Sequence, residues 1–125
     1  MIIGIGTDLA EIDRIRKLIS RFNTSFTDRV FTITEQQEAA MRNDPATYYA
    51  GRWAAKEALS KALGCGIGGN CALLEVEVCN QPTGQPRVTL SGNALATFHK
   101  LGGKHIHLSV SHEANYAVAT VIIER

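Results

Sequence analysis

Arg52-Trp53-Ala54-Ala55-Lys56-Glu57-Ala58-Leu59-Ser60-Lys61-Ala62-Leu63 runs directly into the loop Gly64-Cys65-Gly66-Ile67-Gly68-Gly69. At roughly 100° per residue, Ala54, Ala55, Ala58, Leu59, Ala62 and Leu63 form one apolar arc. Trp53, Lys56, Glu57, Ser60 and Lys61 fall on the opposite arc. The spacing predicts a core helix whose open face sets one carboxylate among lysines and which ends in a glycine loop. Lysines and unpaired backbone N–H groups suit phosphate, and a carboxylate suits the metal ion that accompanies phosphate. Each feature also has a structural reading. Glu57 with Lys61 makes an i,i+4 pair worth a few tenths of a kcal/mol. The loop follows its helix and lacks a GK[ST] element, so it also reads as a C-cap and turn. A helix C-terminus repels phosphate, so phosphate there would rely on Lys56, Lys61 and the loop amides.

Outward from this helix, the spacing sketches the rest of the chain. Ile2 to Gly6 reads as a short buried strand ending at Thr7-Asp8. Leu9, Ile12, Ile15, Leu18, Ile19 and Phe22 mark a helix from Leu9 to Phe22, with Asp8 and Glu11 as its capping box. Asp8 is thus an N-cap aspartate worth about 1 kcal/mol, or a functional carboxylate at a strand end. Arg14, Lys17 and Arg21 lie within about 60° of one another on that helix. They are a solvated face, or a docking face for an acidic helix, where charge steers encounter. Thr34-Glu35-Gln36-Gln37 reads as a second capping box, opening a helix to about Met41. Asn43-Asp44-Pro45 breaks it, and the long helix runs from about Ala46 to Leu63. Gly51 inside that helix costs roughly 1 kcal/mol against alanine, which points to close packing or a bend.

Leu74, Val76 and Val78 alternate with Glu75 and Glu77 in a half-buried strand, and residues 81–86 turn into a return strand at Arg87 to Leu90. Asn93 to Leu101 is a short helix closed by Gly102-Gly103. Ile106, Leu108 and Val110 alternate with His105, His107, Ser109 and Ser111, and a last strand runs from Tyr116 to Ile123. His105 and His107 share a strand face, but with no third ligand at useful spacing they read as surface histidines. His112, at a strand end beside a turn, is the histidine best placed to face a cleft. The order βααα–ββ–α–ββ predicts one α+β domain over residues 1–125, with helices packed on a largely antiparallel sheet.

Composition bounds the function. A 125-residue chain that is 45% hydrophobic and 20% charged, with formal net charge +1, is an ordinary globular domain with no global signal for nucleic acid. No apolar run approaches the ~20 residues of a membrane span. Met1 to Ile5 lacks the charged start of a signal peptide. Cys65, Cys71 and Cys79 form no CxxC pair, which favours reduced thiols in a cytoplasm over a disulfide framework or zinc site.

Together these pieces resemble the holo-acyl-carrier-protein synthase family, the small 4′-phosphopantetheinyl transferases. The resemblance rests on Gly4-Ile5-Gly6-Thr7-Asp8, on Gly51 to Ala58 with Lys61, on Gly64 to Gly68, and on Ser109-Val110-Ser111-His112 through Tyr116-Ala117-Val118-Ala119. It covers essentially the whole chain. It implies the 4′-phosphopantetheinyl transferase fold and transfer of the phosphopantetheine arm of coenzyme A to a serine of apo acyl carrier protein, in fatty acid biosynthesis. Adenosine 3′,5′-bisphosphate is the product released. By resemblance, Asp8 and Glu57 hold Mg²⁺, which favours one or two carboxylates plus water and phosphate oxygens. Lys61 meets the pyrophosphate, Gly64, Gly66 and Gly68 add backbone contacts, and Arg52 takes another coenzyme phosphate. Arg14, supported by Lys17 and Arg21, docks the carrier protein. Glu57, a metal-bound water or His112 takes the serine proton. The resemblance also implies a trimer with coenzyme bound between subunits. Two positions depart from the pattern: Gly69 and Gln85 stand where basic residues are frequent, which weakens contacts to the coenzyme's outer phosphate. Two other classes compete, a non-catalytic carrier-protein-binding module and a metal-dependent phosphohydrolase or nucleotidyl transferase.

Overall fold

The branched residues at the N-terminus favour a pleated backbone, and the first strand carries them further than their spacing alone indicates. A computed structural model describes residues 1–125. In it β1 spans Ile2–Glu11 and pairs antiparallel with the last strand, β5 (Tyr116–Glu124), with Asp8 opposite Ala119 and Leu9 opposite Val118. Asp8 is therefore a strand residue, not the N-cap of a helix. Ladder hydrogen bonds override the local helical signal from Leu9 to Glu11, and α1 begins only at Ile12, running to Phe22. Ile12 and Ile15 are buried, but Phe22 is exposed rather than part of the core stripe.

Residues 24–30 form a helix too short to show a period, α2 (Thr24–Val30). Next comes α3 (Ile33–Ala40), whose capping box is Thr32 with Glu35, two residues earlier than Thr34. The Thr32 hydroxyl accepts from Glu35 N at 3.2 Å, and Glu35 Oε1 accepts from Thr32 N at 2.8 Å. Glu35 fixes this choice because it has two further partners inside the molecule. Its Oε2 accepts from Val78 N at 2.7 Å, and its Oε1 lies 2.8 Å from Lys56 Nζ.

The long helix α4 (Pro45–Ala62) starts on Pro45, whose fixed φ suits a first helical position. It is buried nearly all round, and this corrects the two-arc picture. Lys56 and Ser60 are fully buried, and of that polar arc Trp53, Glu57 and Lys61 reach toward solvent. One side packs on the three-stranded sheet β1-β5-β4, where β4 is His105–Glu113. Alanines 117 and 119 of β5 are fully buried under the alanines of α4. Gly4 and Gly6 make the approach possible. A Cβ at Gly6 would sit 1.9 Å from the Ala58 carbonyl oxygen, and one at Gly4 would sit 2.2 Å from that of Ala62.

The other side of α4 meets the remaining helices and a separate two-stranded sheet. There β2 (Val76–Asn80) pairs antiparallel with β3 (Pro86–Leu90). Leu73–Glu75 is a single 3-10 turn rather than the start of that strand. The last helix, α5 (Gly92–Leu101), ends on Gly102 at φ 88, the left-handed C-cap its glycine provides. The fold is α+β with every strand pair antiparallel, split into two sheets instead of one.

Candidate active site

Asp8 near the far end of β1 and Glu57 on the exposed edge of α4 come together because β1 lies against that helix. They line one cavity of about 510 Å³ with Glu11, Arg14, Trp53 and Lys61. Lys61 stands one turn beyond Glu57, and its Nζ donates to Asp8 Oδ1 at 3.2 Å and to the Thr7 carbonyl at 3.0 Å. Burial holds the Glu57 carboxyl above its ordinary range; the negative charge of Asp8 adds to the shift and Lys61 opposes it. A cation beside both carboxylates would relieve that repulsion. No group of three or more His, Cys, Asp or Glu side chains is placed to hold a metal. Asp8 and Glu57 alone fit a hard cation that keeps most of its coordination for water and phosphate oxygens.

Arg14 reaches this cavity from α1. Along the same helix, Arg14, Lys17 and Arg21 line a second groove with Glu11, Leu18 and Phe22. The Arg21 guanidinium lies 5.1 Å from the centre of the Phe22 ring. A basic strip therefore runs from the carboxylates across the open face of α1.

Arg52 is elsewhere. Five residues before Glu57, it projects about 140° around α4, into a cavity of about 510 Å³ shared with Arg42, Tyr48, Asn80, Gly84 and His112. Its Nη2 donates to Asn80 Oδ1 at 2.8 Å, Glu38 Oε2 lies 3.7 Å away, and its guanidinium stacks 4.3 Å from the Tyr48 ring centre. Arg52 is 6% exposed, yet its Nε has no partner. His112 is exposed and belongs to this second cavity rather than to the Asp8–Glu57 pocket.

The glycine loop begins one turn after Lys61 without lining either cavity. Gly64 and Gly66 take φ of 83° and 69°, a region that favours glycine. Lys56, whose neighbours in sequence suggested a phosphate ligand, is committed inside. Its ammonium donates to the Val30 carbonyl at 2.8 Å and the Leu73 carbonyl at 2.9 Å, besides pairing with Glu35. His107 pairs with Glu124, and His105 stays on the surface. The Thr7 carbonyl that seats Lys61 was not legible in the sequence, because any residue there offers the same oxygen. Trp53 was visible on the polar arc, but nothing in its spacing marked it as a wall of the pocket.

Comparison with known proteins gives this arrangement a family. The profile of the 4′-phosphopantetheinyl transferase superfamily matches residues 4–121. The chain belongs to the 4′-phosphopantetheinyl transferase superfamily. A holo-[acyl-carrier-protein] synthase of Cereibacter sphaeroides is 48% identical over 128 aligned positions, covering 99% of this chain and 93% of that protein. One from Syntrophus aciditrophicus is 43% identical, covering 99% and 97%. The crystal structure of the Neisseria meningitidis holo-[acyl-carrier-protein] synthase superposes with a TM-score of 0.92 at 33% identity, covering all of both chains. The Helicobacter pylori synthase in complex with coenzyme A gives 0.85 at 32% identity, covering 96% of this transferase and 99% of that chain. This chain is accordingly an enzyme of the transferase superfamily, and its α+β fold is that of the solved synthases.

Proposed function

We propose that the chain moves the 4′-phosphopantetheine arm of coenzyme A onto a serine hydroxyl of apo acyl carrier protein. The observation that carries the reading is the convergence of Asp8, Glu57, Lys61 and Arg14 on one pocket. It occurs in a chain similar along its length to holo-[acyl-carrier-protein] synthases, one of them solved with coenzyme A. The serine oxygen attacks the β-phosphorus of the coenzyme as the bond to the bridging pyrophosphate oxygen breaks. Adenosine 3′,5′-bisphosphate leaves with the bond's electron pair, and the serine proton goes to a base. Lys61 stabilises charge on the pyrophosphate oxygens, and its contacts to Asp8 and the Thr7 carbonyl aim it. Glu57 directs the serine proton to a water held beside it.

Asp8 and Glu57 would hold Mg²⁺, and the paired carboxylates with no third side-chain ligand fit that ion. When bound, Mg²⁺ supplies positive charge to the phosphate oxygens of the donor. The basic strip Arg14, Lys17 and Arg21 docks the acidic helix of the carrier protein beside the pocket. Three free cysteines fit a cytoplasmic setting, where coenzyme A and carrier protein serve fatty acid biosynthesis.

The assembly we propose is a homotrimer with each donor site shared between neighbours. Two features support sharing. The Arg52–His112 cavity and the Asp8–Glu57 pocket open on different sides of α4, and a buried guanidinium with a spare N–H suits a phosphate of the same coenzyme held by another subunit. The outer face of the three-stranded sheet also leaves Ile5 66% and Leu9 62% exposed, with Tyr116 and Val118 open beside Leu9. Apolar faces of that kind mark contact surfaces.

The test is to incubate the protein with coenzyme A, apo carrier protein and Mg²⁺ and identify the small product. Adenosine 3′,5′-bisphosphate formed only when all three are present supports transfer. Free phosphate or pyrophosphate would instead indicate a hydrolase or nucleotidyl transferase, and no product would indicate a binding module.

A further inference from the structure

The glycines of the loop have no packing to hold them, and Ile67 alone among its residues is packed against the core. A Cβ built at Gly64, Gly66, Gly68 or Gly69 would meet no atom within 4 Å. Glycines lose more backbone freedom on ordering than any other residue, so beyond the Ile67 anchor the loop's shape depends on hydrogen bonds. Its first half hangs from α4, with Cys65 N and Gly66 N both donating to the Ser60 carbonyl at 3.2 and 3.1 Å. Gly68 and Cys71 exchange backbone bonds at 3.0 and 3.2 Å. Its far end is held by α5. Asn93 Nδ2 donates to the Gly69 carbonyl at 2.9 Å, and the Thr97 hydroxyl lies 2.8 Å from both the Asn70 and Asn93 carbonyls, sharing one proton between them.

The holding helix is itself fixed at its start. Ser91 makes no side-chain cap, and the Glu75 carboxylate replaces it by accepting from Asn93 N at 2.7 Å, Ala94 N at 3.3 Å and Ala72 N at 2.9 Å. Gly92 at φ 54 makes room, since a Cβ there would meet Glu75 Oε2 at 2.1 Å. Within the loop so held, the backbone N–H groups of Ile67, Gly69 and Asn70 donate to no group of the chain. Adjacent free N–H groups on a bent backbone form a surface for anionic oxygens.

We propose that Asn93 and Thr97 are positioning residues for the donor: they hold the glycine loop in the shape that offers its free N–H groups to the coenzyme phosphates. The inference rests on reading that loop as a coenzyme contact. Neither side chain touches substrate; each acts through the loop carbonyl it binds. Losing one such bond is expected to raise KM for coenzyme A roughly three- to tenfold, with kcat and KM for carrier protein near the parent values. That split is the signature of lost uniform binding.

The experiment pairs steady-state kinetics with amide hydrogen exchange on Asn93→Ala, Thr97→Val and Thr97→Ser in the full chain. Expected are faster exchange at Gly68 and Cys71 and a raised KM for coenzyme A in the first two variants. Thr97→Ser, which keeps the hydroxyl, should restore parent values. Unchanged exchange would overturn the clamp itself. Faster exchange with an unchanged KM for coenzyme A would show that the loop does not contact the donor, and the proposal would fall with that reading. Equal losses in both substrates' KM, accompanied by a lowered Tm, would mark a general structural defect and also overturn it.

Discussion

Glu57 sits in an environment that favours its neutral form. Burial dominates, the charge of Asp8 adds, and only Lys61 opposes. The folded state therefore binds the Glu57 proton more tightly than the unfolded state does. Stability from this group is full below its ordinary value of 4.5 and is lost as pH rises through the raised folded value. Glu57→Gln removes the charge without changing shape, so it should cut transfer by about 100-fold or more while Tm at pH 7 stays level or rises. Parallel activity and thermal-melt measurements check this. A variant that loses activity only because it unfolds would refute the functional assignment. The sequence made Glu57 legible as a carboxylate on a helix edge, but gave no distance to Asp8. The meeting of the two depends on β1 running on to Glu11, which comes from its pairing with β5 rather than from its own residues. Lys56 shows the opposite failure. Angular placement put it on the open face, whereas Glu35, brought in by α3, makes a buried partner for it.

At the scale of elements, the Lys56–Glu35 pair is a joint between α4, the end of α2, the start of α3 and β2. Both side chains are fully buried, and their polar atoms are spent on Val30, Thr32, Leu73 and Val78. Removing one member leaves a buried charge and orphaned backbone groups, which costs about 3–5 kcal/mol. Lys56→Met should lower the urea midpoint accordingly, and adding Glu35→Gln to it should recover part of the loss. A Lys56→Met protein that is fully stable yet fails to bind coenzyme A would instead return Lys56 to the list of phosphate ligands. The elements themselves were legible in proportion to their length. The stripe of α4 and the alternation in β4 and β5 were plain, whereas α2, with seven residues, is shorter than two helical turns. The capping signal near residue 34 was real but two residues out, because Thr32 and Thr34 both precede a Glu or Gln by three and only the Glu35 choice serves the buried joint.

Across the whole molecule, the notable fact is that the groups suited to phosphate stand on two sides of one helix. Asp8, Glu57 and Lys61 occupy one pocket, and Arg52 with His112 another. Periodicity in a single chain does not reveal such a division, because it places residues on elements and not relative to neighbouring subunits. A shared site predicts complementation: Glu57→Gln and Arg52→Gln chains, each inactive alone, should regain transfer after subunit exchange, since some interfaces then join two intact halves. No recovery, with mixed assembly verified by native mass spectrometry, would mean that each chain works by itself. The central claim, that the pocket of Asp8, Glu57 and Lys61 transfers a phosphopantetheine group, is tested most directly by the intact mass of apo acyl carrier protein after incubation with the enzyme, coenzyme A and Mg²⁺. A gain of one phosphopantetheine, lost with the carrier serine changed to alanine and with Asp8→Ala, is the expected result; an unchanged carrier mass, or the full gain with Asp8→Ala, would contradict it.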